Sequence, residues 1–187
     1  TTSQIVALTT GQIPVLTTAA IAALNSGQVA AIEPADVAVL TMAQVKALST
    51  GAVAALTTAQ VVALPTANIQ ALTSVQVKAL PSASIQALST SQIVALTTAQ
   101  IPSIMTSGIA ALTPAQIAVI ETQDLVTLTT SQVKALVTAE IQALTGGQTA
   151  ALTTAQVGVL TSTQASALNT VQVAALTTGQ VKALSTS

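Results

Sequence analysis

The chain has no cysteine, no histidine and no aromatic residue, and its only bases are four lysines, Lys46, Lys78, Lys134 and Lys182. Each absence closes off a class of function. Without cysteine or histidine there is no disulfide framework and no thiolate or imidazole metal site. Ser-His-Asp and Cys-His catalysis lack their base. Nucleic-acid binding lacks both the basic patch that neutralises phosphates and the rings on which bases stack. Only 5% of the 187 residues are charged, with a formal net charge of −1, whereas an ordinary domain is about a quarter charged. Intrinsic disorder is also excluded, since it goes with low hydrophobicity and high charge, and 51% of this chain is hydrophobic.

A mean hydropathy of +0.76 raises the question of a membrane span. Such a helix needs about 20 predominantly apolar residues in succession. Here Thr, Ser, Gln or an acid cuts every apolar run short, as where Val29-Ala30-Ala31-Ile32 meets Glu33. The residues from Thr1 onward show no signal-peptide or targeting pattern. The apolar content is therefore assigned to a core, which has to be filled without rings.

What the chain does have is a period. Cut from Thr1 it falls into 23 octapeptides without insertion or deletion, and Ser185-Thr186-Ser187 begins a twenty-fourth. Position eight is Leu in 20 octads and Ile in three (Ile32, Ile104, Ile120); position five is Val or Ile in 20, with Leu125, Thr149 and Ala165 as exceptions. Position four is Gln in 15 octads and position seven is Ala in 17. One continuous helix cannot use this pattern, because eight residues advance about 800° and the apolar pair would drift by roughly 80° per octad. A strand places positions five and eight on opposite faces.

A short helix in each octad fits. Thr-x-x-Gln is a capping box in which the Thr hydroxyl accepts from the N3 amide and the Gln side chain reaches back to the N-cap amide. The preceding Leu then falls at N′ and the Val or Ile at N4, the two halves of a hydrophobic staple. Substitutions keep this phase. Pro34 and Pro114 fall at N1, where no donor is needed; Asn25 and Asn169 fall at the N-cap; Asp36, Asp124 and Glu140 fall in the first turn, where the helix dipole favours an acid. Pro65 and Pro81 occupy the cap position itself, so the cap is predicted to slip to Thr66 and Ser82. Pro14 and Pro102, at position six, are predicted to disturb their helices.

Helices this short are unstable alone, so the octads must stack. The predicted fold is all-α: a single continuous solenoid over residues 1–187, with one very short helix per octad. Alanine at position seven would let neighbouring helices approach, and position six, which holds the four lysines, would point outward. A weaker period of 88 residues pairs Pro14 with Pro102, Glu33 with Glu121, Asp36 with Asp124 and Lys46 with Lys134. It reads as a block duplication, or as eleven octads completing a whole number of superhelical turns. Neither end carries a polar capping repeat. The chain is therefore expected to belong to a longer array or to self-associate, by end-to-end stacking or laterally.

Little chemistry is on offer. The carboxylate pairs Glu33/Asp36 and Glu121/Asp124 could contribute oxygens to Ca²⁺, which takes six to eight, but they read first as charged capping sequences. Gly146-Gly147 lacks the Lys-Ser/Thr of a phosphate loop and reads as a weak helix start. Thr149 and Ala165 mark a softer stretch of core. No catalytic, metal-binding or cofactor-binding residue is assigned, and no cofactor, nucleic acid or small-molecule substrate is expected.

Leu112-Thr113-Pro114-Ala115-Gln116-Ile117-Ala118-Val119-Ile120 is similar to the helix opening of TAL-effector DNA-binding repeats, but without their longer period or basic charge. The whole array resembles the Leu-Thr-Thr-x-Gln-Val/Ile-x-Ala-Leu repeats of large bacterial surface or secreted adhesin-like proteins. That resemblance implies an extracellular structural role, as a fibre, filament or surface stalk without enzymatic activity. It carries over no haem site, because no His, Tyr or Cys is present and both methionines, Met42 and Met105, fall in capping turns. The alternative is a binding module whose Thr-Thr pairs present hydroxyl rows to ice or polysaccharide.

Overall fold

The computed structural model describes residues 1–184; the start of the twenty-fourth octad lies outside them. Among the described residues there are 21 α-helices of four to seven residues and two 3-10 turns, with no strand. The chain is an all-α solenoid of very short helices. Contacts divide it into two compact blocks, Thr1–Leu96 and a second beginning at Thr97, with the division falling between octads 12 and 13.

Most octads are built alike. In octad 8, Thr57 is extended (φ −70°, ψ 159°), Thr58–Ala63 form the helix, and Leu64 is extended again (φ −62°, ψ 127°). The Thr57 hydroxyl accepts from the Gln60 N–H at 3.3 Å while Gln60 Oε1 accepts from the Thr57 N–H at 2.8 Å, which completes the capping box. Leu56 and Val61, the staple pair, are both buried. The helix ends on a tight bond from the Leu64 N–H to the Val61 carbonyl. Two extended residues then suffice to start the next helix. No described residue has a positive φ, so these helices stop without the left-handed glycine that commonly ends a helix.

The predicted phase holds at Asn25 and Asn169, which cap through Oδ1, and at Pro34 and Pro114, which sit at the first helical position. Pro14 and Pro102 reduce their octads to the 3-10 turns Ile13–Val15 and Ile101–Ser103, since proline lacks the N–H that an α-turn needs there. Pro65 and Pro81 correct the sequence reading. The cap does not slip: both prolines are the N-cap residues and the helices still begin at Thr66 and Ser82. Their φ values of −58° and −60° already suit the cap, and the buried Ile69 and Ile85 hold the helices in register. A proline has no amide to be accepted, and position four is correspondingly shorter in these octads, Asn68 and Ser84 in place of Gln.

Within each block, helices three octads apart lie side by side: Thr18–Ala22 with Met42–Ala47 in the first, Pro114–Val119 with Thr138–Ala143 in the second. Alanine at position seven serves this approach. A Cβ added at Gly146 would lie 3.7 Å from Ala175 Cβ and 3.3 Å from Val171 Cγ1, both three octads on. Gly146 thus begins its helix where a side chain would press closely on Val171. The core runs along positions five and eight, with Val29, Val45, Val61 and Val77 fully buried in the first block and Ile117, Val133, Ile141 and Val157 in the second. Thr149 takes one of these places, its hydroxyl donating to the Thr145 carbonyl at 2.9 Å, while Ala165 is half-buried.

The cap supplies a measurable part of each helix. The Thr73 hydroxyl accepts from the Gln76 N–H and also donates to Gln76 Oε1. Thr73→Ala should therefore lower stability by about 1 kcal/mol in urea unfolding. Thr58→Ala, at an exposed first helical position, should change it by less than about 0.5 kcal/mol.

Candidate functional site

Position four is where the structure concentrates its polar chemistry. Sequence reasoning gave the glutamine one role, the capping box, which spends only Oε1. In the structure most of these side chains are buried, and Nε2 donates elsewhere. Gln60 is 1% exposed; its Nε2 donates to the Val29 carbonyl at 2.8 Å and to the Ile32 carbonyl at 2.6 Å. Val29 and Ile32 are positions five and eight of the octad four places earlier. Gln44, Gln76 and Gln92 do the same in the first block, and Gln132, Gln148, Gln156, Gln164, Gln172 and Gln180 in the second.

The last carbonyls of a helix have no partner within it and must find one. Here one amide side chain caps the start of its own helix with its oxygen and the end of an earlier helix with its nitrogen. Side-by-side packing at three octads and hydrogen bonding at four place between three and four octads in each turn of the winding. The sequence did hold a signal for this. A capping box accepts Glu as readily as Gln, yet position four is Gln in 15 octads and Glu in one. A donor as well as an acceptor is being selected.

The acidic residues occupy the same rung. In Glu33/Asp36 and Glu121/Asp124 the Glu is an exposed cap residue and the Asp is buried one turn on, at 3% and 4% exposure. Glu121 accepts from Gln123 Nε2 at 2.6 Å. Among the described residues no three His, Cys, Asp or Glu side chains gather where a metal ion could be held. Burial, then the neighbouring Glu121 charge, pushes the Asp124 carboxyl up. Glu140 is wholly buried, and burial raises its carboxyl to about 7, against the lowering effect of the Val137 N–H that donates to it. One oxygen of each, Asp124 Oδ1 and Glu140 Oε1, is buried without a hydrogen-bond partner.

Elsewhere the surface is plain. All four lysines are exposed at position six, as expected, and Met42 and Met105 are exposed on capping turns. An open cleft of about 250 Å³, lined by Lys134, Gly158, Val159, Leu160 and Thr161, lies where Gly158 leaves position six empty. Lys134 is its only ionisable group. No described helix is long and apolar enough to cross a membrane.

A comparison with curated proteins returns no match. The family model of the ALTTAQ repeat matches residues 1–31, 29–66, 69–106 and 117–154, which together take in most of the chain. Its motif is written out in Ala55-Leu56-Thr57-Thr58-Ala59-Gln60, so it contains both the staple leucine and the complete capping box. The matches that start at Val29, Ile69 and Ile117 all begin at position five of an octad, in the same phase as the helices. Motif, phase and coverage agree, and the chain belongs to the ALTTAQ repeat family.

Proposed function

We propose that this chain is a structural module of an extracellular fibre, filament or surface stalk, has no catalytic activity, and works by extending a column of octads. The observation that carries this reading is the four-octad reach of the glutamine rungs. A rung needs an octad four places away, so an array of this kind is open at any end. Each rung pairs the amide donor of one octad with the helix-end carbonyls of another, so any number of octads of the same kind can be joined in this way. Head-to-tail contacts that do not close make filaments. The resemblance of the octads to the repeats of large bacterial surface or secreted proteins supports a location outside the cell.

Negative-stain electron microscopy of the purified protein at rising concentration tests this. Rods that lengthen with concentration are expected; compact, isolated particles at every concentration would overturn it.

A second reading, surface binding, draws on one run of contacting helices that carries threonine at position two throughout: Thr106, Thr130, Thr154 and Thr178. Against it, several cap threonines already direct their hydroxyls inward to Gln Oε1, among them Thr73, Thr97 and Thr129. Thermal hysteresis, or retention on immobilised polysaccharide, would distinguish this reading from the first.

A further inference from the structure

We infer that Glu140 enters the fold as a neutral carboxylic acid whose hydroxyl stands in for a glutamine amide, donating to the Ile109 or Leu112 carbonyl, so that losing its proton loosens the rung between octads 14 and 18. The register assigns the partners. Every complete rung joins position four to the carbonyls 31 and 28 residues earlier, as Gln148 does with Ile117 and Ile120 at 2.8 Å each. For Glu140 those residues are Ile109 and Leu112, both buried. One carboxyl oxygen is already committed, since Oε2 accepts from the Val137 N–H at 2.5 Å. The other, Oε1, is buried and without a partner. By the register of the other rungs it corresponds to the nitrogen that donates there. Ionised, Glu140 would set a charged acceptor against two carbonyl acceptors in a site closed to water. Protonated, it supplies the donor that the rung lacks.

Among the described residues packed around Glu140, no cation offsets the charge. The helices packed against Thr138–Ala143 are Pro114–Val119 and Ser162–Ser166, and neither carries an ionisable side chain. Neither does octad 14, which holds Ile109 and Leu112, nor Thr170–Ala175, whose Gln172 caps this helix from the other side. In the octads adjoining in sequence the only charged group is Lys134, at an outward position six. A carboxyl raised by burial to about 7 agrees with this arrangement.

The direction of the pH effect follows. The group binds its proton more tightly folded than unfolded, so its stabilising contribution is complete below the unfolded value of 4.5, declines as pH rises, and is gone above about 7. Melting followed by circular dichroism should show the midpoint falling by about 5–10 °C between about pH 5 and pH 8 relative to Glu140→Gln, which restores the family residue. An infrared band of a protonated carboxyl should persist near pH 6 in the native protein and be missing in Glu140→Gln. Parallel pH profiles for the two proteins, or no such difference band, would overturn the proposal.

Discussion

Replacing Gln60 with methionine is expected to destabilise the first block by about 3–5 kcal/mol, more than deleting an ordinary capping interaction. Methionine keeps the length and burial of the side chain but removes its hydrogen bonds. It leaves the Thr57 N–H without its acceptor and the Ile32 carbonyl without its donor, and takes a second bond from the Val29 carbonyl. An unmet buried polar group costs about 1–3 kcal/mol. Gln60→Glu separates the two functions of the amide. It can still accept from Thr57 but cannot donate when ionised, so it should be the worse variant at neutral pH and should recover much of the loss in mild acid. Urea unfolding at about pH 5 and pH 8 measures both effects. If Gln60→Met proves no more costly than Thr57→Ala, the amide's reach to octad 4 contributes nothing and the rung description fails.

A larger effect is expected from breaking the phase. Deleting Thr57–Leu64 removes one whole octad, and each remaining octad meets another of the same design at three and four places away. Helicity per residue and cooperative melting should be retained. Deleting only Thr57–Gln60 leaves Val61-Val62-Ala63-Leu64 without a cap, a rung or enough residues for its helix. The Val–Leu core pair then has no frame at that station, and the loss should exceed about 5 kcal/mol, seen as loss of the helical signal or as a split transition. Circular dichroism and thermal melting of the two deletions check this directly. Equal damage from both would mean that the octad is not the building block.

How far the sequence revealed all this can be judged from particular residues. The helix start was legible because three separate positions, Thr57, Gln60 and the Leu56–Val61 pair, agree on it by local chemistry alone. Pro14 and Pro102 were legible because the missing N–H acts within a single turn. Pro65 was misread because local preference was weighed without the neighbours. A proline is a poor side-chain cap, but buried Ile69 and the adjacent octads hold the register regardless. The rungs were hidden for a different reason. Their partners lie 28 and 31 residues away, a reach set by how octads pack on one another, which no single octad encodes. The surplus of Gln over Glu was the one trace left in the sequence. Glu33 and Glu121 do stand at the N-cap, but neither side chain caps its helix, and the burial of Asp36, Asp124 and Glu140 depends on the same long-range geometry.

The joints between helices carry a consequence of another kind. Because no described joint uses a left-handed residue, none depends on an achiral hinge that must be kept in place. Copying or losing a whole octad of coding sequence creates a junction identical to those already present and calls for no compensating substitution. Array length is then a quantity that replication slippage can change freely, and selection can set the reach of such a protein without redesigning any part of it.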